Sequence, residues 1–270
     1  NAEFKVSSFY LNRFKRIFPL LIFVIIITFS FAYLFLIPEK LLKLSESSIS
    51  SLLGFSNLYY FFSYNEYGAD ESLLLPLLHT WSLSIELQYY IFFPIFVILL
   101  KNLNLKFEKL LPYLIIFFLI INIVIEKINT SFNFYFFHSR VFEFLIGSFL
   151  YFNYEKIRKI HLFKKSENLL VFFSYILLFM SVMFFNEKTP HPSIITIIPV
   201  LSCSILILSS KNNLSYLLLN SHYLRFIGKI SFSLYMIHFP VFALLRILNL
   251  FPNSFFGLSV LILFIFLISI

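Results

Sequence analysis

The chain has 270 residues, of which 60% are hydrophobic and 13% are charged, and its formal net charge is +8. A soluble domain carries about 25% charged residues, and a single core in a chain of this size cannot bury so much apolar surface. The composition therefore excludes a soluble globular protein and indicates a chain solvated by lipid. Its basic residues form short runs between apolar segments rather than one patch, so no nucleic-acid partner is predicted.

Eight apolar runs approach the length that crosses a bilayer, which is about 20 residues. They are residues 17–37, 81–100, 110–125, 136–152, 168–185, 193–209, 230–248 and 254–270. A ninth run, 48–63, is shorter and richer in Ser and Asn. We therefore predict an all-α polytopic membrane protein. It would be a bundle of about eight transmembrane helices plus one re-entrant or interfacial helix, in a single membrane domain over residues 1–270.

The distribution of basic residues predicts the orientation of this bundle. With the N-terminal end cytoplasmic and eight crossings, 15 of the 21 Lys and Arg residues lie on the cytoplasmic side, four lie outside and two lie within spans. If residues 48–63 also crossed, every later loop would change sides and the bias would reverse. This favours a 48–63 run that does not cross and a lipid-embedded, multi-pass protein with a cytoplasmic N-terminal end.

A basic run, Arg13-Phe-Lys15-Arg16, lies at the cytoplasmic end of the first span. Such runs commonly anchor a span at the membrane surface. Guanidinium groups also bind phosphates bidentately, so Arg13 and Arg16 are candidates for holding a nucleotide-bearing donor. Both interpretations stay open at this point.

Residues 76–100 place polar side chains at the start of an otherwise apolar helix. His79 and Glu86 are seven residues apart, which puts them two turns apart on one face, with Ser82 between them. A carboxylate within a span costs roughly 2.5–3.5 kcal/mol on insertion scales, so Glu86 is a functional candidate. The alternatives are a structural ion pair for Glu86 and an interfacial position for His79 and Trp81.

Two later spans carry further polar residues. Arg140 and Glu143 are spaced to neutralise each other on one helix; alternatively, Arg140 pairs with Glu86 and Glu143 orients one or both. Tyr235 and His238 share a helical face in the span 230–248. That face predicts a proton relay, a substrate contact or polar helix packing.

Several common site motifs do not occur in the sequence. It has no GxSxG, P-loop, CxxC or HExxH pattern, so hydrolase, nucleotide-switch and zinc functions have no support. His161, His191 and His222 are predicted to lie in loops with no partner at metal-ligand spacing. No metal site is predicted.

Four motifs together resemble the membrane acyltransferase 3 family, and most closely its bacterial branch of O-antigen and surface-polysaccharide O-acetylases. In chain order they are Arg13-x-x-Arg16-Ile-x-Pro19, Pro76-Leu-Leu-His79-Thr-Trp81-Ser82-Leu-x-x-Glu86, Arg140-x-x-Glu143-x-x-x-Gly147 and Leu224-x-x-Ile227-Gly228-x-Ile-Ser231-x-Ser233-Leu-Tyr235-x-x-His238.

The resemblance implies a bacterial inner-membrane enzyme that moves an acyl group, usually acetyl, from cytoplasmic acyl-CoA to a hydroxyl of a surface glycan or lipid-linked sugar. No permanently bound cofactor is expected. The family domain has ten helices, so the eight spans would be its third to tenth and the chain would be truncated at both ends. The family's catalytic first-helix histidine would then precede Asn1, so the chain would be either an inactive fragment or a window on a longer protein. Members of this branch often add an SGNH-type domain after the last span, which would lie outside this chain.

The resemblance also assigns roles to the candidate residues. The catalytic candidates are His79, Glu86, Arg140, Glu143 and His238; the substrate-binding candidates are Trp81, Ser82 and Tyr235; and Arg13 and Arg16 would bind the acyl-CoA phosphates. Among these residues His79 is the candidate base, second to the upstream histidine. A transporter or flippase for a lipid-linked sugar is the alternative function, and a structural membrane protein is a third.

Overall fold

The computed structural model describes residues 6–64, 72–186 and 189–270, apart from the side chains of residues 217 and 218. Within these ranges the regular elements are helices, and no strand occurs. The α-helices are α1 Val6–Phe35, α2 Pro38–Leu52, α3 Ser56–Ser63, α4 Thr80–Asn102, α5 Phe107–Ile128, α6 Thr130–Tyr135, α7 Val141–Lys159, α8 His161–Phe184, α9 Ile197–Leu208, α10 Asn213–Leu219, α11 His222–Ile247 and α12 Phe255–Ile268. The predicted all-α class is confirmed.

Among the described residues, five helices are long and apolar enough to cross a membrane, namely α1, α4, α5, α8 and α11. Their most apolar windows are only 11–33% buried within the protein, so lipid must cover the remaining apolar surface. Two more predicted spans correspond to the shorter apolar helices α9 and α12. The last, 136–152, corresponds to α7, which begins only at Val141 after a 3-10 turn. The chain is a multi-pass membrane protein.

The run 48–63, predicted as one re-entrant or interfacial helix, falls on two helices. α2 has 15 residues and α3 has eight, and both are shorter than the roughly 20 residues that a crossing helix requires. The break between them lies at Gly54, whose φ of +74° belongs to the left-handed region, where glycine carries no steric cost.

The chain divides into two compact units, and the boundaries between them fall within α4 and α11. The first unit comprises residues 1–95 and 229–270, and the second comprises residues 96–228. In the first unit, Leu21 and Val24 of α1 form a core with Leu83 of α4 and Met236 of α11. In the second unit, α5 packs on α7, and α9 packs on both α7 and α8.

Hydrogen bonds fix one face of α4 against α2 and α3. The buried Gln88 amide donates to the Gly54 carbonyl at 2.9 Å and to Asn57 Oδ1 at 2.8 Å. One turn earlier, the hydroxyls of Ser84 and Ser56 are 2.7 Å apart. These bonds satisfy polar groups that lipid could not, and they set the rotation of α4 about its axis.

Candidate active site

The first polar site is centred on His79, the residue before α4, and we call it the histidine site. Its side chain is only 4% exposed, which argues against an interfacial position. The imidazole stacks on Phe239 of α11 with a centroid distance of 5.5 Å. The rings of Tyr235 and His238 lie at 5.2 and 5.6 Å from it. Residues 235–239 of α11, about one and a half turns, therefore pack against the His79 side chain.

Hydrogen bonds hold the His79 backbone in this site. The Tyr235 hydroxyl donates to the His79 carbonyl, and the Ser82 hydroxyl bonds to the Tyr235 hydroxyl. The Ser82 hydroxyl also lies 3.3 Å from the same carbonyl. His79 and Ser82 of one predicted motif are thus brought together with Tyr235 of another.

The environment of His238 assigns its tautomer. Its Nδ1 lies 2.7 Å from the Tyr235 carbonyl and 3.2 Å from the Leu234 carbonyl. Because carbonyls only accept hydrogen bonds, Nδ1 carries the proton and Nε2 of the neutral ring keeps a lone pair. In His79, neither ring nitrogen makes a hydrogen bond of normal geometry within the described part of the chain, although the Met236 backbone lies close to the ring.

A second group, the Glu86 ladder, continues along the same face of α4. The Tyr90 hydroxyl donates to Glu86 Oε1, and the Arg13 guanidinium of α1 lies 4.6 Å from the Tyr90 ring centroid. Arg16 is exposed on the same helix. Tyr90 was not among the predicted site residues, although its spacing of four from Glu86 placed it on the same face.

The third group, the Arg140 cluster, lies in the other unit. Arg140 is 7% exposed, and its NH1 lies 3.7 Å from Glu143 Oε1, so the ion pair predicted from their spacing is present. The ring of Phe134 lies 5.6 Å from the guanidinium carbon. The predicted pairing of Arg140 with Glu86 stays a prediction.

His191 completes the Arg140 cluster, a contact that was not predicted. Its Nε2 bonds to Arg140 NH1. An arginine only donates, so Nε2 accepts and the imidazole is neutral. Desolvation of the ring and the positive charge of Arg140 lower the pKa of His191. The Asn133 amide donates to the Pro192 carbonyl at 3.0 Å and holds this loop in place.

The last of the predicted site residues is Trp81. Trp81 is 9% exposed, so it is buried rather than part of an aromatic belt. Among the described residues, no group of three or more His, Cys, Asp or Glu side chains is arranged to hold a metal ion.

Comparison with models of known protein families identifies the family of this chain. The model of the acyltransferase 3 family, described as an acyltransferase domain, matches residues 2–270. The chain belongs to the acyltransferase 3 family. No solved structure matches it.

Two curated proteins are similar to this chain over different lengths. An uncharacterised protein of Haemophilus influenzae is 31% identical over 230 residues, which is 78% of this chain and 90% of the relative. O-acetyltransferase OatA of Staphylococcus aureus is 30% identical over 95 residues, which is 35% of this chain. The matched region spans only 15% of the length of OatA.

Proposed function

We propose that this acyltransferase moves an acetyl group from cytoplasmic acetyl-CoA to a hydroxyl of a surface glycan or lipid-linked sugar across the bacterial inner membrane. The N-terminal end would be cytoplasmic. Family membership supports acyl transfer over the transporter and structural alternatives, and the name of the OatA relative supports acetyl as the acyl group.

One observation carries the proposal: a polar face of α4 connects a candidate donor site to a candidate acceptor site within one unit. Tyr90, Glu86 and Ser82 lie on successive turns and lead to His79. From Tyr90 to His79 the helix rises about 16 Å, roughly half the hydrocarbon thickness of a bilayer. Arg13 marks one end of this face and the histidine site marks the other.

At the donor end, Arg13 and Arg16 would bind the phosphates of acetyl-CoA. Arg16 is exposed and free to reach a phosphate in solution, whereas Arg13 is half-buried over Tyr90. The thioester would then lie along the Glu86 ladder, inside the membrane and away from water that would hydrolyse it.

At the acceptor end we assign the base to His238, because its Nδ1 contacts fix the lone pair of the neutral ring on Nε2, whereas no hydrogen bond of normal geometry among the described residues fixes the tautomer of His79. In the reaction the sugar oxygen attacks the thioester carbon, its O–H proton passes to Nε2, and a tetrahedral oxyanion forms. Collapse of this intermediate breaks the C–S bond, and the imidazolium returns the proton to the departing thiolate. A positioned base of this kind contributes typically 10²–10⁴-fold to the rate. The family's first-helix histidine remains the alternative base.

The roles of the remaining candidates follow from their positions. Glu86 would orient the reacting groups through its negative charge, and Tyr235 and Ser82 would hold His79 beside the acceptor. The catalytic roles that the family resemblance implies for Arg140 and Glu143 stay predictions.

The test is acetyl transfer by membranes that contain the complete gene product, with labelled acetyl-CoA as donor and endogenous glycan as acceptor. Glu86→Gln keeps an oxygen to accept the Tyr90 hydrogen bond but removes the charge, so transfer should be lost while the protein stays folded in the membrane. His238→Gln should lower transfer by at least the hundredfold expected for a general base.

Glu46→Gln is a matched control for charge removal, since Glu46 is an exposed carboxylate of α2 that also accepts a tyrosine hydroxyl, from Tyr59 at 3.1 Å. It should leave transfer unchanged. Normal transfer by Glu86→Gln would refute the assigned role of that residue, and absence of transfer by the unmodified protein would refute the proposed function.

A further inference from the structure

A cavity of about 280 Å³ lies in the first unit, between the end of α1 and the start of α4. The lining residues that carry polar groups are Lys40, Lys43, Ser47 and Tyr64. The other lining residues are apolar, namely Leu36, Leu44, Leu74, Leu75 and Pro76. Two ammonium groups together with an apolar lining match a ligand that is both anionic and lipophilic.

Lys40 and Lys43 line the cavity, and two carboxylates of the same helix lie near them in sequence. Glu39 forms an exposed ion pair with Lys43 at 3.3 Å, and Glu46 accepts the hydroxyl of Tyr59. Neither carboxylate lines the cavity. Exposed pairs of this kind are weak, so the ion pair with Glu39 contributes little to holding Lys43 in place.

The position of α2 indicates that the anion belongs to a lipid. The helix begins at Pro38, three residues after the apolar span α1 ends, so it starts at the surface of the bilayer. Leu42 and Ile49 of α2 are each 59% exposed. Apolar side chains exposed beside lysines are typical of a helix that lies in the headgroup region, with its ammonium groups at phosphate level.

We propose that this cavity binds a phosphate-bearing lipid. The headgroup phosphate lies between Lys40 and Lys43, and the first chain carbons lie along Leu36 and Leu74. A volume of about 280 Å³ accommodates a headgroup and the start of a chain, with the remainder of the chain in the bilayer.

The cavity lining and the histidine site are close together in the chain. Pro76 lines the cavity, and His79 follows three residues later. A lipid seated there holds its headgroup next to the acceptor end of the site. That this lipid carries the sugar hydroxyl that is acetylated rests on the proposed function; that the cavity binds the lipid does not.

The test is equilibrium binding of dye-labelled, short-chain phosphatidylglycerol to the purified complete protein in neutral detergent. Lys40→Gln combined with Lys43→Gln should weaken binding by about thirtyfold, the effect of removing two lysines that each contribute as juxtamembrane basic residues do. Glu39→Gln should instead tighten binding by about twofold to fivefold, because it releases Lys43 from its ion pair.

Lys106→Gln combined with Lys109→Gln is the matched control, because these two exposed lysines have the same spacing and lie in the other unit. This pair should leave binding unchanged; equal losses in both double variants would overturn the proposal by showing that only net charge matters. Competition with unlabelled compounds shows whether the cavity binds the phosphate of a lipid or free phosphate. Unlabelled phosphatidylglycerol should displace the probe, and displacement by inorganic phosphate at the same concentration would overturn the assignment to a lipid.

Acetyl transfer gives a separate readout. In the Lys40→Gln, Lys43→Gln double variant, the KM for the acceptor should rise with little change in the KM for acetyl-CoA. Lipid binding that is unaffected in this variant overturns the inference and leaves the proposed function intact. Lipid binding by an unmodified protein that transfers no acetyl group refutes the proposed function and supports the cavity assignment.

Discussion

The hydroxyl of Tyr235 donates a hydrogen bond to the backbone carbonyl of His79, a residue 156 positions earlier in the chain. This bond ties α11 to the start of α4 at the point where the two histidines meet. The carbonyl belongs to a residue that is 4% exposed, where water cannot readily replace the donor. The Tyr235 hydroxyl is therefore a structural requirement of the histidine site as well as a neighbour of its reactive groups.

We expect Tyr235→Phe to lower the free energy of unfolding by about 0.5–1.5 kcal/mol, because it removes one buried hydrogen bond and leaves the His79 carbonyl with the longer contacts from Ser82, at 3.3 and 3.4 Å. Acetyl transfer should fall as well, since His79 is no longer held beside His238. Thermal unfolding in detergent and the membrane transfer assay measure the two effects. Tyr113→Phe is the control, as Tyr113 is 72% exposed, and it should change neither; an unchanged unfolding temperature in Tyr235→Phe would contradict the structural role.

Replacement of Arg13 by glutamine and replacement of Arg16 by glutamine should have different effects on the protein. Arg13→Gln removes a cation from the face of Tyr90, where the guanidinium carbon lies 4.6 Å from the ring centroid. We expect it to lower stability by about 0.5–1 kcal/mol and to raise the KM for acetyl-CoA. Arg16→Gln should raise this KM without a change in stability, because Arg16 is exposed. Equal KM values for the unmodified protein and both variants would remove these arginines from the donor site.

Gln88 has a structural role that can be separated from catalysis. Gln88→Leu preserves bulk but removes the amide that donates to Gly54 and Asn57 at 2.9 and 2.8 Å. We expect a loss of about 1–3 kcal/mol in stability, measured by thermal unfolding. Gln88→Glu keeps the side-chain length but cannot donate when ionised, so it should be at least as destabilising. Unchanged stability of Gln88→Leu would show that other donors satisfy the Gly54 carbonyl and Asn57 Oδ1.

The sequence predicted those features of this membrane domain that depend on local pattern. Helical periodicity placed Ser82 and Glu86 on one face of α4, and it also predicted the ion pair of Arg140 with Glu143. Both predictions concern residues within two turns of one helix. There the geometry of the backbone alone decides which side chains are neighbours.

Contacts between distant segments could not be predicted in the same way. The contact of Arg140 with His191 joins residues 51 positions apart, and only the packing of the intervening helices brings them together. Periodicity also placed Tyr90 on the face of Glu86, but no role was assigned to it, because in an apolar run a tyrosine is expected to pack as an aromatic ring. The division of residues 48–63 into α2 and α3 depended on a single glycine.

His191 gives the protein a predictable response to acid. Its pKa is lowered in the folded protein, so below about pH 6.5, the ordinary value for histidine, the unfolded chain binds a proton that the folded chain does not. Stability from this group is therefore present at neutral pH and is lost as the pH falls below that value. Protonation also removes the lone pair that accepts from Arg140 and places two positive charges in contact.

We expect His191→Gln to reduce this loss, because a glutamine oxygen can accept from Arg140 and does not titrate. Unfolding temperatures at about pH 7 and about pH 5 should differ less in His191→Gln than in the unmodified protein. His161→Gln removes an exposed histidine at the start of α8 and should leave the acid sensitivity as it was. If His191→Gln and the unmodified protein lost the same stability on acidification, the contact of His191 with Arg140 would not control the acid response.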